Sequence, residues 1–133
     1  MVNKEGKILH KSNQHKKGRQ HDYSVYKDEH PITPPQVENY FDLGYHGIEN
    51  DFPDLKAVLP LKKKCNVIEL TKKEKRYNKR HRRQRVIVEH TICRIKKFGI
   101  MASKYRNRLK RYNGISDIVS GLVNYKIIHS KKR

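Results

Sequence analysis

Acidic residues, cysteines and long apolar runs are all scarce in this 133-residue sequence. Cys65 and Cys93 belong to no closely spaced set of Cys and His, so we expect ordinary thiols rather than a disulfide or a structural zinc site. No N-terminal run has the character of a signal sequence, and nothing approaches the length of a membrane span. The sequence therefore predicts a soluble cytosolic protein of one domain, or a piece of a larger domain.

The acids that are present lie mostly in the first part of the chain. Residues 1–55 carry 7 Lys/Arg and 9 Asp/Glu, a net charge of −2, whereas residues 56–133 carry 25 and 4, a net charge of +21. Such a segment repels itself unless it binds a polyanion, and its charge favours nucleic acid. A membrane surface is less favoured, because the cations are spread over several predicted elements. Periodic apolar residues predict that the basic part folds.

The predicted elements are short strands followed by helices. The capping box Thr71-Lys72-Lys73-Glu74 predicts a basic helix from Lys72. This helix has almost no apolar face, which suits a helix lying along phosphates but equally a solvated helix. In chain order we expect a turn at residues 3–6, a strand at 7–12, a helix at 21–30 with Asp22 as N-cap, strands at 37–41 and 57–61, the basic helix, a helix at 82–98, and a buried helix from Ile118 to about Ile128 capped by Ser116-Asp117.

Glu89 is the only acid between Glu74 and Asp117. On a helix of about 100° per residue it lies beside an apolar face, in a stripe that is otherwise rich in cations. A solvated ion pair between Arg85 and Glu89, worth roughly a few tenths of a kcal/mol, would explain the stripe. The alternative is a metal ligand among cations that bind phosphates. The stripe is Arg82, Arg85, Glu89, Cys93 and Lys96, and the apolar face is Ile87, Val88, Thr91, Ile92, Ile95 and Phe98.

Asp42 is the second acid of interest. It follows a predicted strand and precedes Gly44 and Gly47, so we expect it at the carboxyl end of that strand. Open α/β sheets form their sites at this edge. The alternative interpretation is a turn residue that caps the Leu43-Gly44 backbone.

Aromatic residues are interleaved with cations further along the chain. Tyr105, Leu109 and Tyr112 lie among five Lys and Arg residues between positions 104 and 111. Aromatic rings between cations can stack on exposed bases, but the same spacing suits packing anchors. The sequence leaves both interpretations open.

Taken together, these acids resemble a known pattern. Asp42-Leu43-Gly44-Tyr45-His46-Gly47 looks like the motif around the second catalytic Asp of bacterial insertion-sequence transposases of the DDE type, whose catalytic domain has a ribonuclease H-like fold. Arg85, Glu89 and Lys96 match the spacing of that family's third-carboxylate signature, although Arg82 stands where many members have Tyr. The similarity continues through residues 116–125 and covers nearly the whole chain.

The resemblance implies an α/β protein with a truncated ribonuclease H-like fold, a mixed sheet with flanking helices and a helical C-terminal half. It divides a partial catalytic domain, 1–133, into a strand-rich part (1–61), a basic insertion with the Glu-bearing helix (62–98) and a helical part (99–133). The first catalytic Asp would belong upstream of Met1, and Asp22 is a poor substitute because it begins a helix. We therefore expect an incomplete active site and no activity from this chain alone.

The function implied by the resemblance is metal-dependent cleavage and transfer of DNA strands in the complete enzyme. Asp42 and Glu89 would be catalytic residues and metal ligands for two Mg²⁺ or Mn²⁺ ions. The expected partners are transposon ends and target DNA in the bacterial cytoplasm and nucleoid, with an upstream transposase half or a second protomer as a further candidate and no membrane. The cations expected to bind DNA are Lys72, Lys73, Arg76, Lys79, Arg80, Arg82, Arg83, Arg85 and Lys96.

A different class of function is also compatible with the charge. A non-catalytic basic protein that binds nucleic acid, for instance structured RNA, would need the same cations but neither Asp42 nor Glu89. A translated remnant without function is a third alternative. The two acids therefore distinguish the hypotheses, because loss of Asp42 or Glu89 abolishes catalysis but leaves binding nearly intact.

Overall fold

The computed structural model describes residues 1–12, 21–63, 69–106 and 111–130, and most of the regular structure is helical. Two strands form a parallel sheet in which Asn39 pairs with Ala57 and Tyr40 with Val58. In chain order the elements are α1 (Asp22–Glu29), β1 (Asn39–Tyr40), a 3-10 turn (Leu43–Tyr45), α2 (Ile48–Asp51), β2 (Ala57–Val58), α3 (Lys72–Lys96), α4 (Gly99–Ala102) and α5 (Tyr112–Ser130).

The strands are shorter than the sequence predicts. The expected strands at 37–41 and 57–61 are reduced to two residues each, and the one at 7–12 to a single antiparallel bridge between Val2 and Ile8. Asp42 starts a turn directly after Phe41, and Pro60 has no N–H with which to continue the ladder. The result is an α-rich architecture with a small parallel sheet, which is compatible with the predicted α/β class.

The chain divides into two compact units. The sheet unit is Gly18–Arg85, and the terminal unit combines Met1–Lys17 with Val86–Arg133. The helix α3 contributes its first half, up to Arg85, to the sheet unit and its second half to the terminal unit. Each unit has its own kind of core.

Aromatic rings form the core of the sheet unit. The ring of Tyr26 meets those of Phe41, Tyr45 and Phe52 edge to face, with centroids 5.3, 5.9 and 5.8 Å away, and Ile48 is fully buried. Such edge-to-face pairs add about 0.5–1.5 kcal/mol each beyond the area they bury. These contacts join α1 to the segment that carries Asp42.

The helix α1 starts as predicted, but its cap is different. His21 is the N-cap, and its Nδ1 accepts a hydrogen bond from Tyr23 N at 3.3 Å. The expectation that Asp22 caps this helix is wrong by one residue. Asp22 lies in the first turn instead, where its negative charge interacts favourably with the positive end of the helix dipole.

The terminal unit has an aliphatic core along one stripe of α5, formed by Val119, Val123 and Ile127. The prediction of a helix capped by Ser116-Asp117 is wrong, because α5 begins at Tyr112 and both residues lie inside it. The expectation of burial holds for that stripe alone, since a surface helix packs along one face. The exposed apolar residues of α5 are Ile118, Leu122, Tyr125 and Ile128.

The N-terminal segment is fixed to the terminal unit at two points. The Asn124 side chain accepts a hydrogen bond from Ile8 N at 2.7 Å and donates one to Ile8 O at 2.9 Å, as a neighbouring strand would. Thr91 Oγ1 lies 3.0 Å from Gly6 O. Gly6 has φ +84°, and a Cβ there would lie 2.9 Å from Arg94 Nη1, so this tight turn requires glycine.

The helix α3 begins with the predicted capping box. Thr71 N donates to Glu74 Oε2 at 2.7 Å, and Glu74 N donates to Thr71 Oγ1 at 3.3 Å. The basic helix predicted from Lys72 and the helix predicted at 82–98 are one continuous helix, because no Gly or Pro interrupts them. The predicted apolar face is only partly used: Thr91 is 1% exposed, but Val88 is 39% and Ile92 44% exposed.

Candidate active site and nucleic-acid interface

The first half of α3 is held in the sheet unit by polar side chains. Tyr77 Oη donates a hydrogen bond to Leu59 O at 3.1 Å. His81, 3% exposed, lies with Nε2 3.1 Å from Val58 O, and since a carbonyl only accepts, this nitrogen carries the proton. These bonds fix the helix to β2 and to the segment after it.

Asn78, on the same face of α3, clamps the backbone of Leu61. Leu61 N donates to Asn78 Oδ1 at 2.8 Å, and Asn78 Nδ2 donates to Leu61 O at 3.0 Å. The sequence showed almost no apolar face here, and the face that packs is in fact polar. The positions of Tyr77, Asn78 and His81 at helical spacing were the signal that could have revealed it.

The opposite side of this half carries cations. Eight exposed Lys and Arg residues occupy an arc of about 180°. Lys75, which the prediction omitted, pairs with Glu69 at 2.5 Å and lowers the pKa of that carboxyl through their hydrogen bond. A helix anchored on one side and cationic on the other suits a phosphate backbone. The eight residues are Lys72, Lys73, Lys75, Arg76, Lys79, Arg80, Arg82 and Arg83.

Asp42 caps the 3-10 turn that follows β1. Its Oδ1 accepts a hydrogen bond from Leu43 N at 2.7 Å, so the turn-capping interpretation is confirmed. Its Oδ2 lies 2.9 Å from Arg85 Nη2. Burial raises the pKa of the neighbouring Tyr45, and the negative charge of Asp42 adds to this effect. The carboxylate of Asp42 is therefore exposed but held in one orientation from two sides.

Arg85 pairs with Asp42 and not with Glu89, and its expected binding to phosphate stays a prediction. Glu89 follows one turn later on α3 and is exposed. Within the described ranges its carboxylate has no hydrogen bond or ion pair, so the Arg85–Glu89 pair is not formed there. Lys96, the last residue of α3, is also exposed.

Asp42 and Glu89 offer carboxylate oxygens, the ligand type that Mg²⁺ and Mn²⁺ prefer. Across residues 1–12, 21–63, 69–106 and 111–130, no cluster of three or more His, Cys, Asp or Glu side chains could hold a metal ion. The donor chemistry fits such an ion, but the predicted pair is one carboxylate short of a three-ligand set. The site roles of both residues stay predictions.

Tyr105 and Tyr112 contact each other in the terminal unit. Their ring centroids lie 5.1 Å apart at 71°, and both residues are half-buried. This arrangement favours the packing interpretation over base stacking. Leu109 and Cys65 lie outside the described residues, whereas Cys93 is a free, exposed thiol, as expected.

The length and apolar character of the helices bear on membrane insertion. In the part of the chain that the structure describes, none of them combines the length and apolar character needed to cross a bilayer.

Comparison with known proteins agrees with the sequence motifs. The family model described as DDE superfamily endonuclease matches residues 1–124. A probable transposase for insertion sequence element IS702 from Microchaete diplosiphon is 34% identical over 113 residues, which cover 85% of this chain and 40% of that protein. No solved structure matches. The chain, which spans about two-fifths of the length of this relative, belongs to the DDE superfamily endonuclease family.

Proposed function

We propose that the chain forms part of an insertion-sequence transposase whose complete form cleaves and joins DNA strands. The observation that carries the proposal is the position of Asp42: it is fixed after β1 by its turn and contacts α3 through Arg85, one turn before Glu89 on the same helix. A ribonuclease H-like fold, with a mixed sheet larger than the two strands described, belongs to the same proposal.

Asp42 and Glu89 would hold divalent metal ions in that enzyme. The ions, Mg²⁺ or Mn²⁺, supply activation of water or a 3′-hydroxyl and stabilise charge on the reacting phosphate. Arg85 holds the Asp42 carboxylate in place, with its Nη2 2.9 Å from Asp42 Oδ2. With two carboxylates, we expect the chain to bind metal weakly and to catalyse no strand transfer alone. An upstream transposase half or a second protomer would supply the third.

DNA binding is assigned to the cationic side of α3. The eight cations of this side are exposed, and the polar bonds of Tyr77, Asn78 and His81 keep the opposite side in the sheet unit. Each cation that neutralises a phosphate releases counterions, so binding should weaken steeply with salt. Transposon ends and target DNA are the proposed ligands.

Paramagnetic Mn²⁺ tests the metal site directly. We expect low Mn²⁺ concentrations to broaden the NMR amide signals around both Asp42 and Glu89, and Asp42→Asn to abolish the broadening at both. Asp54→Asn, which removes another exposed carboxylate of the sheet unit, is the matched control and should leave it unchanged.

The result separates the two classes of function. Broadening at one residue without the other, or equal broadening around Asp54, would contradict a shared metal site. DNA binding that survives without such a site would favour the non-catalytic nucleic-acid-binding protein, which needs the cations of α3 alone.

A further inference from the structure

A groove of about 690 Å³ lies in the sheet unit, apart from the Asp42 carboxylate. Its lining consists of His46, Glu49, residues 57–63 and Tyr77. One wall is therefore the extended chain that follows β2, and another is the first half of α3. The groove is open to solvent, and a volume of this size exceeds that of a nucleobase.

The wall formed by α3 is preorganised. Tyr77 Oη donates to Leu59 O at 3.1 Å, which fixes the ring, while 40% of the residue stays exposed. The clamp between Asn78 and Leu61 fixes the facing backbone at 2.8 and 3.0 Å. An aromatic face held open in this way loses little conformational entropy when a flat group stacks on it.

Charged residues of both signs line the groove. Lys62 and Lys63 line it and are exposed, and Arg76 and Arg80 lie beside Tyr77 on α3. Glu49 is the carboxylate on the rim; it would repel a phosphate but can accept a hydrogen bond from the amino group of a base. An exposed aromatic ring in a groove with cations is typical of sites for single-stranded nucleic acid.

We propose that this groove holds an unpaired base of a DNA strand, stacked on Tyr77, with the adjacent phosphates on Lys62 and Lys63. The inference depends on the proposed DNA function and adds to it that the bound DNA includes a frayed or single-stranded position. A duplex cannot place a base against Tyr77 without unpairing it, so the groove discriminates between the two forms of DNA.

Binding of matched single-stranded and duplex oligonucleotides by fluorescence anisotropy, at one salt concentration, tests the proposal. Tyr77→Leu and Tyr77→Phe both lose the hydrogen bond to Leu59 O, so the difference between them reports the ring alone. Compared with Tyr77→Phe, Tyr77→Leu should weaken single-stranded binding by at least about fivefold and duplex binding by less than about twofold. Tyr125→Leu is the matched control, because Tyr125 is 64% exposed on a helix with few charges, and it should change neither.

A crosslink keeps the test independent of variant folding. Single-stranded DNA containing 5-iododeoxyuridine should crosslink to Tyr77 in the natural protein on irradiation, as mapped by mass spectrometry. Equal effects of Tyr77→Leu on both DNA forms, or a crosslink confined to Tyr125, would overturn the base site. Salt-dependent duplex binding without the selective loss in Tyr77→Leu and without the crosslink to Tyr77 would reject this inference alone. Absence of all DNA binding would reject the proposed function.

Discussion

Different kinds of contact stabilise the two units. The sheet unit relies on aromatic rings around Tyr26 and on polar bonds between α3 and β2, whereas the terminal unit packs Val119, Val123 and Ile127 of α5. Both units contain an asparagine that hydrogen-bonds to the N–H and C=O of one extended residue, Asn78 to Leu61 and Asn124 to Ile8. The comparison shows that a side chain on a helix can satisfy the backbone of a short extended segment as a neighbouring strand would.

The difference also explains how the first half of α3 can carry many cations. An apolar anchor would need a broad stripe of α3, but Tyr77, Asn78 and His81 anchor its first half with few positions, which leaves the rest for cations. In contrast α5, with Asp117 and Lys126 as its charged residues, is close to neutral. We therefore expect nucleic acid to bind the first half of α3 more than α5.

The largest expected effect comes from removing cations of the first half of α3. Replacing three α3 cations of the sheet unit by Gln should weaken duplex DNA binding by about 10²–10³ at 0.1 M salt and reduce the slope of log affinity against log salt by up to about 2.7, as three lost phosphate contacts would. Binding titrations at several salt concentrations measure both quantities. The three residues are Lys72, Arg76 and Lys79.

A matched control removes the same charge from the terminal unit. The substitution to Gln of Lys4, Lys104 and Lys126, all exposed, changes the net charge equally. If the α3 cations make specific phosphate contacts, the control should lose less than about tenfold. Equal losses in the two triple variants would mean that net charge alone attracts the DNA.

A second prediction concerns the aliphatic core. Val123 is 4% exposed, and Val123→Ala should lower the free energy of unfolding by about 2 kcal/mol through lost contacts and a residual cavity. Ile118→Ala, on the same helix, removes more atoms from a residue that is 65% exposed and should cost less than about 0.5 kcal/mol. Chemical denaturation measures both values; a larger loss for Ile118 would show that the exposed face of α5 is covered in solution.

The sequence predicted features that depend on near neighbours along the chain. The capping box at Thr71 and Glu74 is confirmed because the two residues satisfy each other's backbone, and the Asp42 cap involves the next residue alone. The one-residue error at Asp22 arose because His21 is a less common cap. Family membership likewise followed from short motifs.

Features that depend on distant contacts were not predictable in the same way. Nothing in the sequence joins Asn124 to Ile8, and the pairing of Asp42 with Arg85 needed the fold. The continuity of α3 across Arg82 was available from the absence of Gly and Pro, but the charge pattern suggested two separate roles. Whether Asp42 and Glu89 share an ion stays a prediction, because motif spacing orders residues along the chain and not in space.

The third prediction compares the two asparagine clamps. Asn78→Leu and Asn124→Leu keep the branched shape of the side chain but lose both hydrogen bonds, so each should destabilise its own unit by about 1 kcal/mol. Leu61 is 42% exposed and its backbone can rehydrate, whereas Ile8 is half-buried, so Asn124→Leu should cost more. Hydrogen exchange should accelerate at the Leu61 amide in the first variant and at the Ile8 amide in the second, and exchange that rises equally at both sites in either variant would contradict local clamps.

The smallest expected effect comes from the surface of the sheet unit and depends on pH. Hydrogen bonds from Lys27 and then Tyr23 hold the pKa of Asp51 below its usual range. A lowered pKa in the folded state stabilises the fold above about pH 4, the value in the unfolded chain, and this stabilisation disappears as the pH falls through the folded pKa. Asp51→Asn should therefore melt below the natural protein at pH 7 and converge with it at low pH. The loss of stability should be small because the ion pair is exposed and screened. The loss of stability in Val123→Ala, in contrast, should be independent of pH over the same range.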